Sequence, residues 1–319
     1  MHGAPYLHTG LAADPICKLH EPGRGHPECP DRYDAVFDAM CRMGLIDHLR
    51  KIPCRPASEE ELALCHARDY IQLVQCEVEA GRHVLSTGDA DICPKSYEAA
   101  LYAAGGVLAA VDSVVERQTK NAFCVVRPPG HHATADKGMG FCLFNNIAIA
   151  ARYAQKQHKL GRVLIVDWDL HHGNGTQDIF YEDGSVFYFS THQAPFYPGT
   201  GSNAERGRGE GLGSTLNCPV PPGAGREDIL GAFEHELLPA MQRFEPDLVL
   251  ISAGFDSRVG DPLGALMLTD HDFADLTSLM LDVAGKYADG RLISVLEGGY
   301  DLGGLASAAA AHVQALTTA

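Results

Sequence analysis

The segment Asp167-Trp168-Asp169-Leu170-His171-His172-Gly173-Asn174-Gly175 sets carboxylates and imidazoles directly behind the apolar run Val-Leu-Ile-Val. Asp169 and His171 present an oxygen and a nitrogen donor to one side of an extended chain. Asp256 offers a second carboxylate behind another apolar run, Leu-Val-Leu-Ile-Ser-Ala-Gly-Phe. Two carboxylates and one imidazole leave an open position on a tetrahedral cation, which is what water and substrate need at a catalytic zinc. A lone Asp-x-His is more often a polar turn; the second carboxylate in a matching context points to a metal site.

Other groups with reactive chemistry occupy similar places. His131 and His132 follow Cys-Val-Val-Arg-Pro-Pro-Gly. They are candidates for further metal ligands or for a proton-transfer pair, since imidazole titrates near neutral pH. Asp167 and Asn174 are candidate orienting partners. An aspartate raises the pKa of its histidine more than a neutral asparagine does. Tyr300 follows Gly298 and Gly299, whose missing side chains permit a sharp turn and close backbone approach. A phenol there can donate a hydrogen bond to a developing oxyanion.

Elements must bring these groups together. Candidate strands are 122–127, 162–167, 186–190, 248–252 and 292–296, rich in Val, Ile, Leu and Phe without polar alternation. Such runs suit parallel strands buried on both faces. Candidate helices cover 31–42, 68–79, 96–116, 145–157, 226–243, 270–287 and 302–316. Their alternation with strands predicts an α/β fold, a parallel sheet with helices on both sides. The N-terminal third reads as mainly helical, and no linker divides the chain, so residues 1–319 are taken as a single domain. Ligands of open parallel sheets bind beyond the carboxyl ends of the strands, where all the polar groups above fall.

Composition narrows the function classes. The 319 residues carry a formal charge of −16, which argues against a grip on nucleic-acid phosphates. No apolar run long enough to span a bilayer is expected, and the first 24 residues do not read as a secretory signal. The ten cysteines form no Cys-x-x-Cys pair. Reduced, buried thiols in a cytoplasmic protein are the simplest account. Gly207–Gly213 lacks the strand and helix of a dinucleotide fingerprint and reads as a connection.

Arg-Pro-Pro-Gly-His-His-Ala, Gly-Phe-Cys-Leu-Phe-Asn-Asn, Val-Asp-Trp-Asp-Leu-His-His-Gly-Asn-Gly-Thr-Gln, Phe-Tyr-Pro-Gly-Thr-Gly, Ser-Ala-Gly-Phe-Asp-Ser-Arg-Val-Gly-Asp-Pro-Leu-Gly and Leu-Glu-Gly-Gly-Tyr-Asp occur in order along the chain. Together they resemble the zinc-dependent histone deacetylase superfamily, closest to its class II branch and bacterial histone deacetylase-like amidohydrolases. The resemblance runs from about residue 23 to 300, and Gly-Arg-Gly-His-Pro-Glu-Cys-Pro-Asp-Arg looks like the family's entrance loop. It implies an arginase–deacetylase fold with an open, mainly parallel sheet of about eight strands. It implies zinc on Asp169, His171 and Asp256, catalytic roles for His131, His132 and Tyr300, and an acyl-lysine tunnel walled by Phe141 with Phe196 or Tyr197. Asp89 or Asp91 is implied as a rim aspartate, and Asp167, Asp169, His171, Ser190 and Thr191 as surroundings of a structural potassium. Asn174 stands where class I enzymes have aspartate, so their charge relay is not carried over.

The implied activity is hydrolysis of an acyl-lysine amide. Alternatives are an acetylpolyamine or other small acylamide amidohydrolase, an arginase-like ureohydrolase, and a non-catalytic acyl-lysine binder. Gly254 stands where a two-metal ureohydrolase would place a further aspartate, which favours one ion. Polyamine-selective class II relatives can carry a glutamate at the position of Leu263; an apolar rim there favours a lysine stem. The donor set accepts Fe²⁺ as well as Zn²⁺, and the sequence assigns neither physiological substrate nor oligomeric state.

Overall fold

The computed structural model describes residues 8–318. Eight strands form one sheet: β1 (Thr9–Ala13), β2 (Leu49–Ile52), β3 (Ala122–Val125), β4 (Val163–Asp167), β5 (Val186–Gln193), β6 (Thr215–Val220), β7 (Leu248–Ala253) and β8 (Leu292–Leu296). Their order is β2-β1-β3-β8-β7-β4-β5-β6, and every neighbouring pair is parallel. Strands β3, β4, β7 and β8 are buried along their whole length. Helices cover both faces, as continuous apolar strands require.

The sequence reading anticipates β3, β4, β5, β7 and β8 but leaves out β1, β2 and β6. Each of the three carries weak strand chemistry. Thr-Gly-Leu-Ala-Ala in β1 lacks β-branched residues apart from Thr9, and Leu-Arg-Lys-Ile in β2 exposes its two cations at the sheet edge. Strand β6 contains Asn217 and Pro219 and forms the opposite edge, where a proline is tolerated.

The helices are α1 (Asp31–Arg42), α2 (Glu59–Leu62), α3 (Arg68–Glu79), α4 (Ser96–Val115), α5 (Asn146–His158), α6 (Asn174–Phe180), α7 (Arg226–Ala232), α8 (Leu238–Phe244), α9 (Asp270–Tyr287) and α10 (Leu302–Thr318). The helix expected over 226–243 is divided: a wide π-turn, Phe233–Leu237, separates α7 from α8. Pro239, which has no N–H to give, lies in the first turn of α8, just past that turn. Helix α4 also corrects an expectation. Its length and mean hydropathy of 1.4 would suffice to cross a membrane, but 67% of that window is buried within the protein. It is rich in Ala and Gly and packs closely; a Cβ on Gly105 would lie 2.0 Å from the Arg55 carbonyl. One contiguous apolar core links sheet and helices.

Strands β3, β8, β7 and β4 are consecutive in the sheet. Their carboxyl ends lead into His131–His132, Glu297–Tyr300, Asp256 and Asp167–His171, respectively. The topology therefore gathers at one sheet edge residues separated by up to about half the chain.

Candidate active site

Donor atoms of Asp169, His171 and Asp256 lie within 4.8 Å of one another, and all three residues are buried. His171 Nδ1 is 3.0 Å from Asp256 Oδ2 and 3.2 Å from Asp169 Oδ1. Backbone N–H groups aim the carboxylates: Gly298 donates to Asp169 Oδ2 at 2.8 Å, and Leu170 donates to Asp256 Oδ1 at 2.8 Å. The approach depends on glycine. A Cβ at Gly254 would come 2.0 Å from Asp169 Oδ2, and one at Gly298 would come 2.2 Å from Asp256 Oδ2. Burial and the neighbouring Asp169 push Asp256 up to about 7. Burial also opposes charge on Asp169, but His131 and His171 outweigh it and hold that carboxyl well below its usual range. Two buried carboxylates converging on one imidazole nitrogen need a compensating cation, and the mixed nitrogen–oxygen donor set fits a divalent metal ion.

His131 and His132 lie beside this centre with ring centroids 4.0 Å apart and their planes tilted by 44°. His131 Nδ1 meets Asp167 Oδ2 at 3.1 Å, and His132 Nδ1 meets Asn174 Oδ1 at 2.8 Å. The expected orienting partners are therefore in contact with the expected histidines. Burial disfavours charge on both rings. For His131, the carboxylates of Asp169 and Asp167 overcome it and raise the ring to about 10. For His132, burial and the charges of His131 and His171 act together and push it well below its ordinary value. Asn174 Oδ1 is an acceptor, so a neutral His132 carries its proton on Nδ1 and leaves Nε2 free to accept. Asp167 is held in turn by Tyr188, whose hydroxyl donates at 3.1 Å.

Tyr300 lines a channel of about 510 Å³ together with His132, Phe141, His171, Phe196, Tyr197 and Leu263. The Phe141 and Tyr300 rings meet edge-on at 5.9 Å, Phe196 lies 5.6 Å from His171, and Tyr197 stands edge-on to His132 at 5.2 Å. Both candidate wall aromatics are thus present, where the sequence left a choice. Of the two rim candidates, Asp89 lines the channel, whereas Asp91 pairs with His26 at 3.2 Å. Ser190 stands opposite Asp167 in the strand register, and the buried Thr191 hydroxyl has no partner among the described residues.

Sequence reasoning missed the support beneath Tyr300. Arg32 is fully buried; its Nε donates to the Gly299 carbonyl at 2.7 Å and its Nη2 to the Glu297 carbonyl at 2.5 Å. Its guanidinium also lies 5.0 Å from the centre of the Tyr300 ring. Asp261 accepts from the Tyr300 N–H at 2.7 Å. Glu297 accepts from the Gly130 and His131 N–H groups at 2.7 and 3.2 Å, so the end of β8 also fixes the histidine loop. The only available signal for Arg32 was its place in the entrance-loop motif.

The sequence matches the histone deacetylase domain family over residues 26–316. It is 42% identical over 301 residues to histone deacetylase 10, chloroplastic, of Oryza sativa subsp. japonica, covering 89% of this chain and 68% of that protein. It is 43% identical over 306 residues to the human polyamine deacetylase HDAC10, covering 91% of this chain and 45% of that protein. A protein of Archaeoglobus fulgidus named "Probable deacetylase" is 39% identical over 298 residues, with 93% and 82% covered. The chain thus spans less than half the length of the human relative. The crystal structure of the HDA15 HD domain superposes with a TM-score of 0.93 at 37% identity, covering 98% of this chain and 88% of that one. With its eight-stranded parallel sheet and the site at the strand ends, the chain belongs to the histone deacetylase family, hydrolases of acetylated amides.

Proposed function

We propose that the chain hydrolyses an acyl-lysine-type amide with one zinc ion held by Asp169, His171 and Asp256. The observation that carries this is the convergence of the three donors, the unequal histidine pair and Tyr300 at one apolar channel. A bound zinc would supply positive charge to polarise the acyl carbonyl and water. The channel walls Phe141, Phe196 and Tyr197 receive the aliphatic stem and exclude solvent from the amide. His132, neutral and with Nε2 unprotonated, takes the proton of the attacking water. His131, charged beside Asp167, balances negative charge that develops during attack and favours proton return to the leaving amine. The Tyr300 hydroxyl donates to the carbonyl oxygen as it becomes an oxyanion. A potassium ion near Asp167, Asp169, His171, Ser190 and Thr191 would have a structural role.

The second reading, an acetylpolyamine substrate, is favoured by the names of the mammalian relatives. Leu263 in the channel lining argues for the lysine stem, because it offers no charge to a distal ammonium. The deciding experiment compares kcat/KM for acetyl-lysine peptides and N-acetylated polyamines in wild type and Leu263→Glu. Wild type should favour the peptide, and the variant should move several-fold toward polyamine. A strong wild-type preference for polyamine would reject the lysine-stem reading.

A further inference from the structure

One carboxylate oxygen hydrogen-bonds two segments that line the channel. Asp89 Oδ1 accepts from the Gly140 N–H at 2.8 Å and from the Tyr197 hydroxyl at 3.3 Å. Gly140 and Phe141 belong to one wall and Tyr197 to the other, and all of them line the channel with Asp89. The first wall needs a tether. Gly140 has φ 55° and Phe141 has φ 66°; for a bulky aromatic residue that left-handed conformation is strained and persists only where its surroundings fix it. The space is also filled: a Cβ at Gly140 would lie 2.4 Å from the His132 ring and 3.1 Å from the Tyr197 hydroxyl. The second wall leans on the same histidine, with Tyr197 edge-on to His132. His26 also packs against Phe141, edge-on at 4.6 Å.

We propose that the Tyr197–Asp89–Gly140 bridge is a clamp that fixes the bore of the channel and selects slender aliphatic stems over broad ones. Tyr197 and Asp89 are positioning residues in this scheme. The phenol does not enter the chemistry; it ties its own wall to the carboxylate that holds the Gly140–Phe141 turn. A phenylalanine at 197 would keep the apolar surface and lose the tie. The proposal rests on the deacylase reading and deepens it by assigning the source of stem selectivity.

The test uses two peptides that each release a primary amine from a methylene carbon: one with ε-acetyl-lysine, one with acetylated 4-(aminomethyl)phenylalanine, whose stem contains a benzene ring. Wild type should prefer the lysine peptide. Tyr197→Phe should lower that preference at least about fivefold, through a higher KM for the lysine peptide with kcat nearly retained and through better use of the broad stem. Asp89→Asn keeps an acceptor oxygen for both donors and should retain most of the wild-type preference. Asp89→Ala, which removes both hydrogen bonds, should lose at least as much preference as Tyr197→Phe, and the double variant Tyr197→Phe/Asp89→Ala should lose no more selectivity than Asp89→Ala alone, because the carboxylate's loss already breaks the Tyr197 link. An unchanged preference in Tyr197→Phe, or full additivity in the double variant, overturns the clamp while leaving the deacylase reading intact. No turnover of either peptide by zinc-loaded wild type overturns the deacylase reading and the clamp with it.

Discussion

His131 and His132 are adjacent in sequence and identical in type, yet their surroundings shift them in opposite directions: the carboxylates of Asp169 and Asp167 raise His131, whereas burial and the charges of His131 and His171 lower His132. The candidate metal donors Asp169, His171 and Asp256 are linked in the same way as a set, since each buried charge depends on the others. Asp256→Asn should therefore remove bound zinc and turnover together; a variant retaining one full equivalent of zinc and normal rate would refute the ligand assignment. Tyr300→Phe should retain zinc and substrate affinity but lose on the order of 10²–10³ in kcat, the usual effect of deleting one oxyanion donor. A loss below fivefold in a kcat measurement would exclude the phenol from the reaction. The candidate donors and reactive groups were legible in the sequence because their types are unusual behind apolar runs. Arg32 was not legible. At the start of an amphipathic helix it looks like a surface charge, and its partner carbonyl at Gly299 lies 267 residues away.

The elements explain how a helix near the N-terminus comes to support a loop near the C-terminus. Glu28, just before α1, accepts from Arg127 Nε at 2.5 Å and Nη2 at 2.6 Å, and from Arg32 Nη1 at 3.0 Å. All three side chains are fully buried. Burial opposes the charge on Glu28, but Arg127, His20 and Arg32 overcome it and hold the carboxyl at about 2. The trio thus joins α1 to the end of β3 and, through Arg32, to the turn after β8. Glu28→Gln would leave two guanidinium groups without their anion in the interior, which costs about 3–5 kcal/mol. Urea denaturation should register that loss, with Tyr300-dependent kcat falling as the turn loosens; wild-type stability in this variant would contradict the assigned role. Parallel strands at the centre of the sheet were readable from apolar runs. The edges were not, because β2 and β6 mix polar residues and proline into short segments. Helix α4 shows the converse: a composition compatible with a bilayer serves here to pack against the sheet.

For the whole molecule, the apolar core also encloses histidines outside the candidate metal site. His312 is fully buried between α9, α10 and β8, with Nδ1 2.6 Å from the Thr277 hydroxyl and Nε2 2.8 Å from the Ser294 hydroxyl. Burial lowers His312 to about 3 and His66 to about 4. The unfolded chain takes up these protons below pH ~6.5, whereas the folded state does not until near pH 3–4. Their contribution is therefore complete above pH ~6.5 and is lost as pH falls through that window, at ~1.4 kcal/mol per pH unit for each ring. His312→Gln should flatten the pH dependence of urea stability between pH 6.5 and 4 by about one proton; an unaltered slope would contradict it. The same core holds strand ends from across the chain in one place, which we propose is a single-zinc deacylase centre. The most direct measurement strips the protein of metal and follows hydrolysis of an acetyl-lysine peptide as zinc is returned. Turnover should be absent without metal, rise in proportion to added zinc and level off at one equivalent per chain. Full turnover by the stripped protein, or a requirement for two equivalents, would rule out a single-zinc centre.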